Sequence, residues 1–440
     1  MKDPKTSKAV LGYLPDETPS FGKLLAFAFQ QVLVMFPATV TVALLTGFHV
    51  STTIFASGVA TICFLLITKG KIPLYYGSSF SYIAAICGIT GASFGDIAPD
   101  ALISQAQFGI ICSGLVSIAA GLIVSRFGME VIEKVLPPTV TGSIALVIGI
   151  SLAGNAVTGA VVDSNTGAVN NNMWIVALVT LLATVLFSVY LKGVLGQLPI
   201  LFGIIVGYIA AVPLGLVDFS GIFAGNFIVA PHFTLPTVSW PALFAIMPIA
   251  IATIPESTAH LFQLDIYVND LAKKKGKGEY KIANKLGLNL IGDGIGDIVA
   301  SVFGGPAGTN YGENISTMAI TKNFSTKMLG TAAIMSIVLS FISPLSNIIN
   351  TVPGAVINGA CIFLFGVIAA QGIAIMINKK VDMFDARNLA VIAVIMIIGL
   401  GGHYGFDGMI PFFGAQFPAI ATASVVGIVL NLILSIGRKK

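Results

Sequence analysis

The sequence predicts an all-α polytopic membrane protein with fourteen transmembrane segments. Three observations lead to this fold class: the chain is 56% hydrophobic, only 10% of its 440 residues are charged, and its mean hydropathy is +0.94. In an ordinary soluble protein about 25% of the residues are charged. A soluble surface for a chain of this length needs more charge than this sequence offers, so most of the apolar surface must face lipid.

The predicted segments are apolar runs of about 20 residues, separated by polar residues or by Gly and Pro. The polar stretch before the first run has no cleavable signal-peptide pattern, so we expect residues 1–20 to be a short, disordered cytoplasmic tail. The runs lie at 22–46, 50–68, 72–92, 103–125, 138–158, 172–191, 199–217, 241–263, 284–303, 310–321, 328–344, 353–376, 388–402 and 417–436.

The basic residues predict the orientation, since translocated loops avoid Lys and Arg. If the N-terminus lies inside, all 23 Lys and Arg residues fall on the inner face, so both termini are predicted to be cytoplasmic. The net charge of +4 then reflects topology and not a nucleic-acid partner, and the Lys-rich stretch at 273–285 is interpreted as a solvated inner loop. The opposite junctions contain acids, namely Asp96, Asp100, Asp163, Asp218 and Asp407, but no Lys or Arg.

The cysteines and most of the histidines indicate no site. All four cysteines lie inside apolar runs, without the spacing of a metal or disulfide site, and are interpreted as packing residues. Three of the four histidines, His49, His232 and His403, fall in predicted outer loops and carry no functional signal.

Two broken segments indicate an internal repeat. The third and tenth runs contain a Tyr-Gly pair each, at 76–77 and 311–312, which are 235 residues apart. With seven segments in each half, the second half must enter the membrane in the opposite orientation, which predicts two inverted seven-span repeats. We expect short β-strands in both broken spans, each followed by a half-helix, with the two glycines as break points and Ser78 or Ser79 as a cap.

Three ionisable residues inside the runs mark the predicted site: Glu256, His260 and Glu313. An acid at the bilayer centre costs about 2.5 to 3.5 kcal/mol on insertion scales. Glu256 and His260 are four residues apart, so they share a helix face and can form a hydrogen bond. Together with the two broken segments, these residues favour a substrate site. The alternative for each glutamate is a structural acid bonded to a backbone turn, and the alternative for the broken segments is a kinked packing feature. Asp293 and Asp297 either hold the broken segments by hydrogen bonds or take part in binding a coupling ion.

The motifs around these residues resemble those of the nucleobase/ascorbate transporters, and within that family the uracil permease branch. The resemblance covers nearly the whole chain. Its most specific part matches the family signature, an acid, amide or proline followed by Asn, with Thr and a basic residue at the end. The matching stretches are Lys69-Gly70-Lys71-Ile72-Pro73, Gly77-Ser78-Ser79-Phe80, Glu256 with His260, Tyr311-Gly312-Glu313-Asn314-Ile315 and Met318-Ala319-Ile320-Thr321-Lys322.

The resemblance implies a division into a core domain and a gate domain. Spans 1–4 and 8–11 would form the core, at residues 21–127 and 238–345 after the tail at 1–20. Spans 5–7 and 12–14 would form the gate, at residues 128–220 and 346–440. An elevator-type movement of the core against the gate and a homodimer through the gate are expected.

The resemblance also implies roles for individual residues. Glu256 and Glu313 would accept hydrogen bonds from the N–H groups of a pyrimidine, and the backbone N–H groups of Phe80 and Gly312 would donate to its carbonyl oxygens. Tyr311 would pack on the ring. Uracil presents two N–H donors and two carbonyl acceptors around a flat ring, which suits such a set.

Further residues are expected to couple protons or to support the site. His260 would take part in proton coupling together with the two acids, and Ser79 would line the binding site. The chain departs from the family pattern at Gln31, where uracil permeases often have His, at Ser316, which replaces a Gly, and at Phe365, where a Tyr can be found. The supporting residues are Asn314, Gln31, Asp293 and Phe365.

The implied function is import of a nucleobase, in the first place uracil, by proton symport. Neutral uracil brings no charge, so its accumulation needs a coupled ion, with H⁺ expected and Na⁺ as the alternative. A xanthine or uric acid permease of the same family and a fold-related anion exchanger or channel are alternative functions. A membrane metalloenzyme with Glu256, His260 and Glu313 as ligands is disfavoured, because only one histidine lies at membrane depth. We expect no enzymatic activity and no resident cofactor or metal.

Overall fold

A computed structural model describes residues 12–92, 96–128, 130–163, 166–219, 222, 225–412 and 415–436. Its secondary structure is mostly helical, with two pairs of short strands. The strands are β1 (Tyr76–Ser78), β2 (Gly308–Asn310), β3 (Met409–Phe412) and β4 (Ala415–Pro418). The α-helices of the described residues are α1 (Phe21–Thr46), α2 (Val50–Ile67), α3 (Ile83–Thr90), α4 (Asp100–Phe127), α5 (Glu130–Val135), α6 (Pro138–Ser151), α7 (Ala153–Val161), α8 (Asn171–Tyr190), α9 (Pro199–Ala211), α10 (Trp240–Ile246), α11 (Ala250–Lys274), α12 (Leu286–Val302), α13 (Gly312–Thr321), α14 (Thr326–Ser340), α15 (Ser343–Asn350), α16 (Gly354–Asn378), α17 (Ala386–Gly405) and α18 (Ala419–Ser435).

Eight helical stretches of the described chain are long and apolar enough to cross a membrane, so the chain is a multi-pass membrane protein. Shorter apolar helices lie at Phe80–Thr90, Pro199–Ala211, Thr326–Ser340 and Ala419–Ser435. The number of fourteen spans stays a prediction. The eight stretches are Phe21–Thr46, Val50–Ile67, Asp100–Phe127, Pro138–Val161, Asn171–Tyr190, Trp240–Lys274, Gly354–Asn378 and Ala386–Gly405.

Glycines allow neighbouring helices to touch through their backbones. A Cβ atom on Gly114 of α4 would overlap the carbonyl oxygen of Gly294 on α12, and the reverse holds as well. Gly121 and Gly287 repeat this contact farther along the same two helices. Small residues favour such close packing in membranes, where lipid provides no hydrophobic drive for helices to associate. The pair α6 and α16 is packed in the same manner.

The two broken spans meet through β1 and β2, which pair antiparallel. Tyr76 lies opposite Asn310, and Ser78 lies opposite Gly308. Helix α13 begins at Gly312, but Gly77 is not a break point, since β1 runs through it and the helical turn starts at Phe80. The prediction for Gly77 was therefore wrong. A Cβ atom there would overlap the ring of Tyr311, so close approach of that ring, and not a turn, requires glycine.

The segment before α1 is folded where the structure describes it, which corrects the expectation of a disordered tail for residues 12–20. The backbone N–H of Tyr13 donates to the carbonyl of Lys322 (2.8 Å), and the N–H of Phe324 donates to the carbonyl of Tyr13 (2.8 Å). Leu14 is fully buried. Residues 1–11 lie outside the described part of the chain.

An ion pair fastens this segment to the loop after α11. The carboxylate of Glu17 accepts hydrogen bonds from the ammonium groups of Lys275 (2.5 Å) and Lys277 (3.0 Å). Burial raises the pKa of Glu17, but the hydrogen bonds from Lys275, from the backbone of Leu14 and from Lys277 outweigh it and lower the pKa to about 2. The Lys-rich loop thus binds the N-terminal segment in addition to meeting solvent.

Candidate functional site

Glu256 and Glu313, the two acids predicted at membrane depth, lie where the two predicted broken spans meet. Glu256 follows Pro255 inside α11 and is half-buried, and Ser81, in the turn before α3, donates a long hydrogen bond of 3.5 Å to its carboxylate. Glu313 lies in the first turn of α13, where a carboxylate is favoured by the helix dipole, and its side chain is exposed in the protein. The charged forms of the two carboxyl groups repel each other. The two carboxylates are therefore hydrogen-bond acceptors between which a neutral molecule with two donor groups can bind.

His260 lies against α13. A Cβ atom on Gly312 would meet the imidazole Nε2 at 2.9 Å, so only glycine leaves room for the ring at this position. The imidazole Nδ1 is buried without a hydrogen-bond partner. Within the described residues no hydrogen bond joins His260 to Glu256, although the two share one helix. His260 thus borders the start of the half-helix that carries Glu313.

Tyr311 connects the segments that meet where the two predicted broken spans cross. Its hydroxyl donates to the carbonyl of Ser78 (2.9 Å) and lies 3.0 Å from the hydroxyl of Thr39 on α1. Only 4% of the residue is exposed, and its ring lies against Gly77. The residue therefore fixes β1 relative to both α1 and α13.

Asp297 on α12 binds both strands. One carboxylate oxygen accepts from the hydroxyl of Tyr76 in β1 (2.6 Å) and from the backbone N–H of Gly308 in β2 (2.8 Å). The side chain is buried, with 2% exposed. A single carboxyl group thereby connects a helix to the two chain segments that cross in front of it.

Asp293 belongs to a second buried network, one helical turn away. It accepts hydrogen bonds from Asn310 Nδ2 (2.7 Å) and from the hydroxyl of Ser257, which in turn accepts from Asn289 (2.7 Å). Ser257, Asn289 and Asn310 were not found by sequence reasoning. The available signal was that each lies within four residues of an acid in an apolar run, where polar side chains need partners.

A small cavity adjoins the two aspartates. It has a volume of about 10 Å³ and is lined by Asp293, Asp297 and Thr309, among others, which is close to the space that one water molecule requires. A larger cavity of about 60 Å³ lies elsewhere, at the predicted outer end, between His49, Asp96 and residues of α15. The larger volume is thus remote from the glutamates.

Asn314 and Gln31 form a buried pair between α13 and α1. The Asn314 amide donates to the backbone carbonyl of Gln31 (3.0 Å) and to its side-chain oxygen (2.7 Å), and both side chains are fully buried. Gln31, one of the departures from the family pattern, is therefore part of the scaffold next to Glu313.

The remaining predicted residues lie at two places. The hydroxyl of Ser79 accepts from the N–H of Ser81 (3.3 Å) and caps the turn that begins at Phe80, while the N–H of Ser79 donates to the carbonyl of Ala307 (2.9 Å). Phe365 is buried on α16, where its carbonyl lies against α6. Ser79 and Phe80 thus stand at the strand crossing, and Phe365 belongs to a different helix pair.

Comparison with known proteins gives the family. The model of a family described as Permease family, Xan_ur_permease, matches residues 22–408. The chain belongs to the nucleobase/ascorbate transporter family. As a member of this family it is a membrane permease and not an enzyme.

Two uracil permeases match this chain over almost the whole length of both proteins. The uracil permease of Bacillus caldolyticus is 36% identical over 426 residues, which cover 95% of this chain and 93% of that protein. The uracil permease of Bacillus subtilis (strain 168) is 35% identical over 428 residues, covering 95% and 94%.

The fold is shared more widely than the family. The structure of the murine Solute Carrier 26 family member A9 anion transporter in the inward-facing state superimposes with a TM-score of 0.66 at 12% identity, covering 96% of this chain and 70% of that one. At this level of identity the likeness shows the fold alone. It confirms a mostly helical transporter fold for this family member.

Proposed function

We propose that this protein is a uracil permease that imports uracil by proton symport. The observation that carries the proposal is the juxtaposition of Glu256 and Glu313 at the crossing of two broken spans. The relatives named above as uracil permeases support the choice of substrate, and an exposed Glu313 gives a ligand access to a carboxylate.

In this proposal the carboxylates of Glu256 and Glu313 accept the two N–H groups of uracil. The backbone N–H groups of Phe80 and Gly312, at the start of two helical segments, donate to the carbonyl oxygens. A neutral planar ligand between the acids replaces their mutual repulsion with hydrogen bonds. A nucleobase with a different donor pattern, such as xanthine or uric acid, fits these acceptors less well, and an anion would be repelled.

Proton coupling is assigned to His260 with Glu256 and Glu313. Carboxyl and imidazole groups change their proton affinity when their surroundings change between outward-facing and inward-facing states. One charge that crosses 100 mV is worth about 2.3 kcal/mol, or roughly fifty-fold accumulation of a neutral substrate. The position of His260 against Gly312, at the start of the helix that carries Glu313, supports this role.

We further propose that the chain consists of two inverted repeats that form a core and a gate. If the second half repeats the first, α12 corresponds to α2, and α14 to α4. The pair α2 and α14 then has its counterpart in the pair α12 and α4, and both pairs are packed together. In the same way, α8 packs on α9 in one half and α17 packs on α18 in the other. The extensive contacts join α1–α4 to α10–α14, and α6–α9 to α16–α18. An elevator-type movement of the first set against the second, cytoplasmic termini and a dimer through the gate complete the proposal.

A thermal-shift panel on the purified protein tests the substrate. Uracil is expected to raise the melting temperature more than thymine, xanthine, uric acid or ascorbate, because it alone matches both carboxylates without additional groups. A larger shift with xanthine or uric acid would assign the protein to the purine branch. A response to bicarbonate or chloride without one to any base would favour an anion transporter.

Uptake of labelled uracil into proteoliposomes tests the coupling. An inward proton gradient is expected to drive accumulation above equilibrium, and a protonophore is expected to abolish it. Uptake that follows a Na⁺ gradient and ignores an imposed pH gradient would contradict proton symport while leaving uracil as the substrate.

A further inference from the structure

Two histidines and an aspartate from distant parts of the sequence meet at the predicted outer end of the molecule. His49 lies just before α2, Asp100 is the first residue of α4, and His232 lies in the extended segment before α10. His232 Nε2 is 2.9 Å from one oxygen of Asp100, and His49 Nε2 is 3.9 Å from the other. One ligand atom from each residue lies within 4.8 Å of the others.

This separation is close to that of a metal-bound set. Tetrahedral zinc with bonds of about 2.0–2.1 Å places neighbouring ligand atoms about 3.3 Å apart, so movements on the order of 1 Å would close the site. Rotation of the side chains can provide such movements, because 58% of the Asp100 side chain and 52% of the His232 side chain are exposed.

A buried ring nitrogen of His49 faces the cluster. Its Nε2 is buried without a hydrogen-bond partner, although it points toward Asp100.

The backbones of both histidines are held by the first turn of α2. The hydroxyl of Thr52 donates to the carbonyl of His232 (2.6 Å), and the hydroxyl of Thr53 donates to the carbonyl of His49 (2.9 Å). These hydrogen bonds fix the backbones that carry the two imidazoles next to the same helical turn. The centroids of the two imidazole rings are 4.4 Å apart.

We propose that His49, Asp100 and His232 form a binding site for Zn²⁺. Two imidazole nitrogens and one carboxylate oxygen suit a borderline transition-metal ion, whereas Ca²⁺ and Mg²⁺ prefer oxygen ligands throughout. The exposed side of the cluster leaves the fourth position to water. A bound ion would connect the loop after α1, the start of α4 and the segment before α10, and so stabilise this end of the protein independently of its substrate.

Titration calorimetry with ZnCl₂ on the full chain, purified through a tag that contains no histidine, tests the site. We expect one Zn²⁺ per chain, no response to Mg²⁺ or Ca²⁺, and at least about a tenfold loss of affinity in His232→Ala and Asp100→Asn, because each removes a ligand of a three-residue site. The matched control is His403→Ala, because His403 lies in the last turn of α17, and not in the predicted outer loop, and its ring packs on Tyr404. Equal Zn²⁺ affinity in the wild type, His232→Ala and Asp100→Asn would overturn the proposal.

Cobalt spectroscopy provides a second test that does not depend on a variant. Co²⁺ bound to two imidazoles, a carboxylate and water in a tetrahedral site absorbs visible light much more strongly than hydrated Co²⁺. We expect this absorption in the wild-type protein and its displacement by Zn²⁺. A spectrum identical to that of Co²⁺ in buffer would overturn the proposal.

Discussion

Glu256 and Glu313 carry the same functional group in different surroundings. Glu256 is half-buried inside α11, while Glu313 is exposed at the start of α13 and accepts no side-chain hydrogen bond among the described residues. A change at Glu313 therefore leaves little structure to disturb, so it separates binding from folding better than a change at Glu256.

We expect Glu313→Ala to weaken uracil binding at least about tenfold, because a hydrogen bond to a charged acceptor contributes about 1.5–3 kcal/mol. The melting temperature without ligand should stay close to that of the wild type. A thermal-shift titration with uracil measures both quantities. Glu279→Ala, an exposed acid in the loop before α12, is the control, and unchanged affinity in Glu313→Ala would place the site elsewhere.

Substitution of Asp297, unlike substitution of Glu313, is expected to lower the stability of the protein. Asp297→Ala leaves the hydroxyl of Tyr76 and the N–H of Gly308 buried without an acceptor, at a cost of about 1–3 kcal/mol for each group. Asp297→Asn keeps a carbonyl oxygen and should lose clearly less. The thermal denaturation midpoint of the two variants, compared at one pH, measures the difference, and equal midpoints would show that these hydrogen bonds do not stabilise the strand crossing.

The residues of the site were only partly predictable from the sequence. Glu256, His260 and Glu313 could be proposed because an ionisable group in an apolar run costs free energy and is therefore unexpected without a function. Ser257, Asn289 and Asn310 were missed because uncharged polar residues occur in many membrane helices, and their partnership with Asp293 depends on three chain segments coming together.

At the level of elements, the bounds of the long helices can be predicted from the sequence, whereas the register of the strand pair cannot. Apolar runs give α1, α2, α4 and α8 within a few residues, because hydrophobic length alone decides them. The register of β1 on β2 depends on which side chains cross the pair, and periodicity carries no information about that. Gly77 illustrates the point, since its role is set by the ring of Tyr311 from the other half of the chain.

Gly77→Ala is therefore expected to disturb the strand crossing. The added methyl group overlaps the ring of Tyr311, which is held at its hydroxyl and cannot swing away. We expect a lower melting temperature and weaker uracil binding. Gly88→Ala on α3 meets open space and is the matched control. A Gly77→Ala protein that binds uracil as tightly as the control would contradict the described contact.

Over the whole molecule, contacts between remote segments agree with the charge pattern that predicted the orientation. Residues 12–20 touch the loops after α11 and α13, both of which carry lysines. The loop after α1, the start of α4 and the segment before α10 meet at the other end. The docking of the tail was not predictable, because a short polar segment does not reveal a partner some 260 residues away.

The docked tail should contribute to stability in a pH-dependent manner. The pKa of Glu17 is lowered to about 2 in the folded protein, so the contribution is fully present above the unfolded pKa of about 4.5 and is lost as the pH falls toward 2. Glu17→Gln should lower the melting temperature at pH 7, by less than about 1 kcal/mol in free energy because the pair is partly exposed. The difference from the wild type should shrink below pH 4.5; a difference that is constant from pH 7 to pH 3.5 would show that the charge of Glu17 is irrelevant.

The pairing of β1 with β2 has a consequence for the order in which the protein is made. β1 is synthesised more than 200 residues before β2, and Asp297, which binds both, is also translated late. Until residues 297–310 have been synthesised, the backbone of Tyr76 has only its hydrogen bonds to Ser57 and Thr61 of α2, while β1 lacks its strand partner and the Tyr76 hydroxyl lacks Asp297. The strand crossing beside the proposed site is thus the last part of this region to assemble, and two half-chains produced separately should bind uracil only when they are combined.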